Sequence, residues 1–293
     1  MRPQTKQDAF SRCHPLVNFL FFVGAIGFGV VVMHPAYLIA SLIAGTCYYL
    51  LLHGMKGLHM VLALLPLAIF MTLINPIFNR YGSHVLFLLF GRPYTLEALL
   101  FGLVLAGMFM SMMMWFGCYN AVLTSDKFIC LFGSLMPAIS MMLVMVLRLI
   151  PNLIRKSSQI AGARRCIGKG AAETDSKKEK LHDGMTILSS LTDWALEGSV
   201  VTGDSMRSRG YGCAKRTSFQ IYRMKPADWV LLALCIVLPA AVIAAGNLGA
   251  SFTPVMVIPP LSWGFAVYCV FLLIPIVLEV KEALTWRILI SRI

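Results

Sequence analysis

The segment LEALLFGLVLAGMFMSMMMWFGCYNAV, from Leu96 to Val122, carries one charged side chain in 27 positions, and that residue, Glu97, stands at its start. A helix needs about 20 mostly apolar residues to cross the hydrocarbon core of a bilayer. The segment is longer than this and has no polar face, so its surroundings must be lipid or other apolar helices. It is therefore predicted to be a transmembrane helix.

The composition extends this prediction to most of the chain. Of the 293 residues, 58% are apolar and only 13% are charged, whereas soluble domains contain about 25% charged residues. The further candidate spans are Leu16–Met33, Pro35–Leu52, Leu58–Phe78, Trp229–Ala245 and Leu261–Val280. The predicted fold is accordingly all-α: a polytopic membrane helix bundle of about six spans.

The distribution of basic residues predicts how this bundle is oriented. Cytoplasmic loops of membrane proteins carry an excess of Lys and Arg. With the N-terminus placed inside, only Arg80 and Arg92 of the 25 basic residues lie outside, and 16 lie between Asp126 and Lys225. We therefore expect a multi-pass protein of the cell membrane, with both termini and one large basic region in the cytoplasm.

One uncharged run, Ile129 to Leu147, admits two interpretations. Its 19 residues are enough for a seventh span, which would require the N-terminus to move outside. The alternative is a helix lying in or under the inner leaflet, with one apolar face buried in the interface. Pro137 and Pro151, which are expected to break the run, and the polar stretch after Arg148 favour the interfacial helix.

The hydrophilic middle of the chain is predicted to form two amphipathic helical arms. Ser157 to Asp183 is rich in Gly, Ala and Lys and is expected to be a solvated linker. Beyond it, between Met185 and Met206, apolar residues recur at spacings of three and four, as on one face of a helix. These residues are Ile187, Leu188, Leu191, Trp194 and Ala195.

Each predicted arm ends in a turn that carries arginines. The first reads Gln159-Ile-Ala-Gly-Ala-Arg-Arg165 and the second Met206-Arg-Ser-Arg-Gly-Tyr-Gly212. Arginine makes several charge-assisted hydrogen bonds to carboxylates and carbonyls, which suits docking on a partner protein. The same arginines are also compatible with ordinary positive-inside residues or with binding to anionic lipid head groups.

The sequence offers little for catalysis. A phosphate-binding loop needs two glycines separated by four residues, then Lys and Ser or Thr, and Gly162 to Lys169 has the wrong spacing. Charged groups are nearly absent from the spans, and no His or Cys pair has a metal-ligand spacing. No catalytic, metal or cofactor site is predicted, and an enzyme or an ion-coupled carrier acting alone is disfavoured.

Methionines cluster at the end of the Leu96–Val122 segment. Met108, Met110, Met112, Met113 and Met114 fall within seven positions. Flexible core packing explains such a cluster, and so does a greasy surface that can be repacked by different partners. A methionine path for metal ions is a third interpretation.

Several motifs occur in an order that is similar to one known family. They are His14-Pro15-x-x-Asn18, Asn75-Pro76-Ile-Phe-Asn79, Leu96-Glu97-Ala98, Leu147-Arg148-Leu-Ile-Pro151, the Ala163-Arg164-Arg165 turn and Met206-Arg-Ser-Arg-Gly-Tyr-Gly212 with Arg216-Thr217. With these motifs the chain resembles the transmembrane T component of energy-coupling factor (ECF) transporters, the EcfT/CbiQ-like family. The resemblance covers nearly the whole chain.

The resemblance implies a non-catalytic coupling subunit of an ABC-type importer of vitamins or transition metals. It implies transmembrane helices in residues 1–122 and 226–293 and two long coupling helices in residues 123–225. The implied partners are two ATPase subunits and a small membrane-embedded substrate-binding (S) subunit, with no nucleic acid and no cofactor. A stand-alone membrane carrier or channel is the alternative function.

In that family, each coupling helix ends in a short Ala-Arg-Gly motif that docks on one ATPase. The docking residues implied here are Ala163, Arg164, Arg165, Arg207, Ser208, Arg209 and Gly210. The carry-over makes Arg164 and Arg209 the docking arginines and Gly210 the motif glycine. Two departures are visible: Arg165 stands where glycine is usual and Ser208 where alanine is usual.

Overall fold

The chain divides into two compact units in the computed structural model. The membrane unit comprises Met1–Phe128 and Tyr222–Ile293, and the hairpin unit comprises Ile129–Ile221. The structure describes residues 9–79, 84–89, 92–124, 127–128, 130–131, 137–168, 176–213, 224–246, 249 and 259–290.

Within these ranges the chain forms eight α-helices and one small antiparallel hairpin. The helices are α1 (Pro15–Val31), α2 (Pro35–His53), α3 (Leu58–Phe78), α4 (Leu96–Val122), α5 (Pro137–Cys166), α6 (Lys177–Ser208), α7 (Pro226–Ala245) and α8 (Gly264–Ile290). The strands are β1 (Val85–Leu89) and β2 (Arg92–Thr95). Short 3-10 helices at Phe10–Arg12 and Gly54–Gly57 precede α1 and α3.

The membrane unit contains the predicted apolar helices. Five helices are long and apolar enough to cross a bilayer, namely α2, α3, α4, α7 and α8. This confirms the prediction of a helical, multi-pass membrane protein. Helix α1 is apolar but shorter, with 17 residues, so the total of six spans stays a prediction.

Helix α4 packs against α1, α2 and α3 within the membrane unit. Its Trp115 is fully buried, and the indole ring meets Phe21 and Phe22 of α1 edge-on at centroid distances of 5.7 and 6.4 Å. The indole N–H donates to Ser41 Oγ over 3.0 Å. The buried indole N–H thus has a hydrogen-bond acceptor, which a polar group needs where water is absent.

The segment around Arg92, which the charge distribution predicts to lie outside, contains the hairpin of β1 and β2. Val85 pairs with Thr95 and Leu89 with Arg92. The Glu97 carboxylate, at the start of α4, accepts a hydrogen bond from the His84 backbone N–H over 3.2 Å. The buried acid in the first turn of α4 therefore holds the base of this hairpin.

Two expectations for the hairpin unit are wrong. Helix α5 runs through Pro151, where a break was expected, up to Cys166. The proline removes the helical hydrogen bond to the Leu147 carbonyl, but Leu147 is only partly buried and Arg148 beside it is exposed, so the freed carbonyl is not sealed in a core. The choice between an interfacial helix and a seventh span for Ile129 to Leu147 stays a prediction.

The linker expected from Ser157 to Asp183 is the second error. Its first ten residues belong to α5, and Lys177 to Asp183 belong to α6. Alanine, lysine and glutamate are good helix formers, and the contacts between α5 and α6 add tertiary support. Between these helices, residues 169–175 of the expected linker lie outside the described residues.

Candidate functional site

Helices α5 and α6 pack against each other as an antiparallel pair. Arg164, near the end of α5, forms an ion pair with Asp183, near the start of α6. Earlier in α5, the Lys156 ammonium lies 5.6 Å from the centroid of the Trp194 ring. From Leu196 to Ser205 every residue of α6 is exposed. The pairing thus uses the first half of α6 and leaves the second half unburied.

The two arginines of the first turn lie in different environments. The Arg164 side chain is only 18% exposed and is held by Asp183, whereas Ala163 and Arg165 are exposed. The helix ends at Cys166, and in the turn that follows Gly168 has φ of +70° and donates its N–H to the Arg165 carbonyl over 3.0 Å. Arg164 therefore fastens the helix pair, and Arg165 is presented outward.

The second arginine turn ends α6 with a Schellman motif. The Gly210 N–H donates to the Arg207 carbonyl over 2.9 Å, and the Tyr211 N–H donates to the Met206 carbonyl over 3.0 Å. The motif needs a residue of left-handed conformation, which glycine adopts without strain, and Gly210 has φ of +75°. The helix is thus stopped by the backbone, and Arg207 and Arg209 are exposed on either side of its end.

Ser208 has a local role that fits its position. Its hydroxyl donates to the Asp204 carbonyl one turn earlier over 2.9 Å. The hydroxyl group therefore has its hydrogen-bond partner within the same helix. Ser208 therefore presents no polar group in need of an external partner.

The two arginine turns lie far apart within the hairpin unit. Asp183 contacts Arg164 of the first turn, and Arg207 follows 24 residues later on the same helix. At 1.5 Å per residue, this separates the turns by about 36 Å along α6. The structure therefore brings each group of predicted residues together locally but does not join the two groups into one site.

A second site, in the membrane unit, was missed by sequence reasoning. We call it the junction cluster and define it as Ser11, His14, Lys127, Asp228 and Glu279. Lys127 is only 7% exposed; its ammonium donates to the Ser11 carbonyl, to Ser11 Oγ over 2.9 Å and to the Val122 carbonyl over 2.8 Å. Asp228 Oδ1 accepts from the His14 backbone N–H over 3.4 Å.

The short segment 9–14 is the common partner in this cluster. Its first N–H, from Ala9, donates to Glu279 Oε2 of α8 over 3.0 Å. Arg12 forms an ion pair with Glu282 at 2.8 Å, and Phe10 is fully buried against Phe21, with a centroid distance of 5.3 Å. Six residues before α1 thus bind groups on three different parts of the membrane unit.

The charged groups of the junction cluster affect the pKa of the Cys13 thiol. Burial raises the pKa of its thiol above the usual value, and the neighbouring Asp228 carboxylate raises it further. The Lys127 and Lys225 ammonium groups act in the opposite direction but do not reverse the shift. Cys13 therefore lies among both signs of charge in a partly water-excluded place.

One local signal pointed to this cluster. Lys225-Pro226-Ala-Asp228 has proline at the first helical position and an acid two residues later, the pattern of a helix start. Asp228 Oδ2 accepts from the Lys225 backbone N–H over 3.0 Å. The contacts to residues 11 and 14 had no such signal, since they join positions 116 and 214 apart in the chain.

The described parts of the chain show no group of three His, Cys, Asp or Glu side chains arranged for a metal ion. The methionine cluster is in part core packing, because Met110 and Met114 are buried in α4. Comparison with known proteins adds no identification: no family model matches the chain, and no curated protein is significantly similar to it.

Proposed function

We propose that the protein is the T component of an ECF-type importer, which transmits ATP-driven motion from two ATPase subunits to a membrane-embedded S subunit. The observation that carries the proposal is the pair of exposed arginine turns about 36 Å apart on one helical hairpin. Two docking points at this separation suit two partner subunits better than one binding pocket.

The surroundings of these arginines support a protein partner. Arg165, Arg207 and Arg209 are exposed, and each turn is stopped by a glycine of positive φ, Gly168 or Gly210. A helix end without a bulky cap allows close approach of another chain, and exposed guanidinium groups suit carboxylates and carbonyls on its surface. We place these turns in the cytoplasm, where ATPases are found.

The environment of the first turn suggests which of its two arginines docks. Arg165 is exposed, whereas the Arg164 side chain is only 18% exposed. The sequence motif alone assigned docking to Arg164, but that side chain is engaged with Asp183. We therefore propose Arg165 as the docking arginine of the first turn, with Arg164 fastening the hairpin.

The membrane unit supplies apolar surface for the S subunit. Only Pro76 is buried among the described residues of α3. A groove of about 580 Å³ between α2, α3 and α4 is lined by apolar side chains, including Leu38, Leu65 and Leu103, with Thr72 as the polar exception. The Thr72 hydroxyl is bonded to its own helix, to the Ala68 carbonyl over 2.8 Å. Such a surface suits a partner that also lies in the bilayer.

Charge reversal tests the proposal. The experiment purifies the tagged chain from native membranes in mild detergent, and likewise its variants Arg165→Glu, Arg209→Glu and Arg155→Glu. Co-eluting proteins are identified by mass spectrometry, and the ATPases among them are recognised by the phosphate-binding loop in their sequences. We expect each turn variant to reduce recovered ATPase by about tenfold or more, because a charge pair is replaced by repulsion.

Arg155→Glu is the matched control, because Arg155 is an exposed arginine of α5 outside the turn; recovery should stay near that of the wild type. The proposal is abandoned if no ATPase co-elutes with the wild type, or if Arg155→Glu and Arg209→Glu have equal effects.

Two native cysteines give an independent test of placement. Cys166 and Cys213 are exposed and directly follow the two turns. A membrane-impermeant maleimide should label both in inside-out vesicles and neither in intact cells, and bound ATPases should slow the labelling. Labelling from outside in intact cells would contradict the cytoplasmic placement.

A further inference from the structure

Within the membrane unit, an almost fully buried histidine caps the start of α2. His34 is 2% exposed, and its ring Nδ1 accepts a hydrogen bond from the Ala36 backbone N–H over 3.2 Å. Its other ring nitrogen, Nε2, lies 3.1 Å from the carbonyl oxygen of Pro259, in the segment that precedes α8. One side chain thus joins the first turn of α2 to a segment 225 positions later in the chain.

The two bonds of His34 determine which ring nitrogen carries the proton. A backbone N–H can only donate, so Nδ1 must be unprotonated, and a carbonyl oxygen can only accept, so Nε2 must carry the hydrogen. The imidazole is therefore neutral, and both of its nitrogens have partners. A second proton would have to enter at Nδ1, where it would face the Ala36 N–H, and the bond that caps α2 would be lost.

The start of α1 offers a comparison within the same unit. His14 Nδ1 accepts a hydrogen bond from the Leu16 N–H over 3.3 Å, and a proline follows this histidine as one follows His34. Within the described ranges, the His14 ring makes no second bond to a distant element. The two caps therefore share their local geometry, but of the two it is the His34 cap that also joins separate elements.

The groups around His34 supply no counter-charge for a second proton. The nearest titratable ring is that of Tyr37, with a centroid distance of 5.5 Å, and Tyr268 of α8 packs against Tyr37 at 5.3 Å. Helix α1 has no charged residue, and Glu97, the acid at the start of α4, accepts from the His84 N–H. No ion pair involves His34 in the part of the chain that the structure describes. A protonated ring would thus be a buried charge without a partner, which is unfavourable.

We propose that His34 is a proton-sensitive clasp, which holds the start of α2 to the segment at Pro259 when it is neutral and releases that segment when it is protonated. Histidine suits this role, because the unperturbed imidazole changes its charge between about pH 5 and 8. The closed clasp contains the neutral ring, so it is favoured at higher pH and is lost as the pH falls. Pro35 and Leu38 line the groove between α2, α3 and α4, so release would change one wall of that groove. The inference does not rest on the proposed function.

The test compares the purified full-length chain in lipid nanodiscs at about pH 7.5 and about pH 5. Nitroxide labels are placed at Met33→Cys and Leu261→Cys, two exposed positions beside the ends of the clasp, with the native cysteines replaced. Dipolar broadening of the electron paramagnetic resonance spectrum reports how close the two labels are. We expect the broadened fraction to fall reversibly by about half or more at the lower pH, because protonation of His34 separates the two segments.

Two asparagine variants serve as matched controls. Asparagine can cap a helix but does not titrate, so His34→Asn should give the same spectrum at both pH values. His14→Asn should keep the wild-type response, because His14 caps α1 and is not bonded to the segment at Pro259. A wild-type spectrum that does not change with pH overturns the clasp, even if His34→Asn fails to fold. A pH response that persists in His34→Asn, or that disappears in folded His14→Asn, also overturns it.

Discussion

Helices α4 and α6 are similar in length but opposite in surroundings. Eleven of the 27 residues of α4 are buried, whereas none of the 32 residues of α6 is buried. Most helices in proteins are stabilised by packing an apolar face rather than by propensity. The difference teaches that α4 is stabilised by burial within the chain, whereas α6 leaves most of its surface free of such burial.

The largest expected effect comes from truncating the centre of α4. Trp115→Ala removes a fully buried ring and its bond to Ser41, so the free energy of unfolding should fall by about 3–5 kcal/mol. Unfolding in mixed micelles, followed by circular dichroism, measures the loss. In α6, where Leu196 is 62% exposed, Leu196→Ala should leave the free energy of unfolding unchanged. An equal decrease for both variants would contradict the difference between the two helices.

A close approach between α3 and α4 gives the next effect. A methyl group on Gly102 would lie 2.8 Å from Asn75 Cβ and 2.9 Å from the Thr72 carbonyl. Gly102→Ala should therefore force the helices apart and lower stability by about 1–3 kcal/mol in the same unfolding assay. Gly107→Ala, on the same helix but with open space around it, should be neutral or slightly stabilising.

The end of α6 should respond more weakly. Gly210→Ala places a side chain in the left-handed conformation, at a cost of about 1 kcal/mol, and frays the last turn. Amide hydrogen exchange should accelerate at residues 206–212 while the rest of α6 keeps its rate. Gly203→Ala, inside the helix with free space around it, should slow exchange locally, and a faster rate in both variants would contradict the Schellman assignment.

The smallest effect concerns thiol reactivity in the two regions. Only the thiolate reacts, and burial together with Asp228 raises the pKa of Cys13, so a smaller fraction is reactive at pH 8. Alkylation of Cys13 should be slower than that of exposed Cys213, and its rate should keep rising above pH 9. Asp228→Asn removes one cause of the raised pKa and should therefore increase the alkylation rate of Cys13 at pH 8. An unchanged rate would show that Asp228 does not affect the pKa of Cys13.

The apolar spans could be predicted from sequence because their signal is local. Leu58–Phe78 and Leu96–Val122 have the bounds that composition predicted, since lipid as solvent demands a minimum length of apolar helix. The orientation of the bundle and the partners of the arginine turns stay predictions.

The errors arose where distant contacts decide. The expected linker from Ser157 to Asp183 is mostly helix because α5 and α6 support each other, as the bond from Arg164 to Asp183 shows. The proposed choice of Arg165 over Arg164 as the docking arginine also uses that bond, and which of the two docks stays a prediction. Nothing near Lys127 in the sequence indicated that its ammonium is buried at Ser11.

The contact of Ala9 with Glu279 also sets an order of events during synthesis. The two residues are 270 positions apart, so ribosomes adding 5–20 residues per second leave roughly 15–50 s between their emergence. Once residue 127 has been made, the ammonium of Lys127 can bind Ser11, while Glu279 is still absent. The bond from Lys127 to Ser11 can therefore form well before the bond from Ala9 to Glu279, which waits for the synthesis of α8.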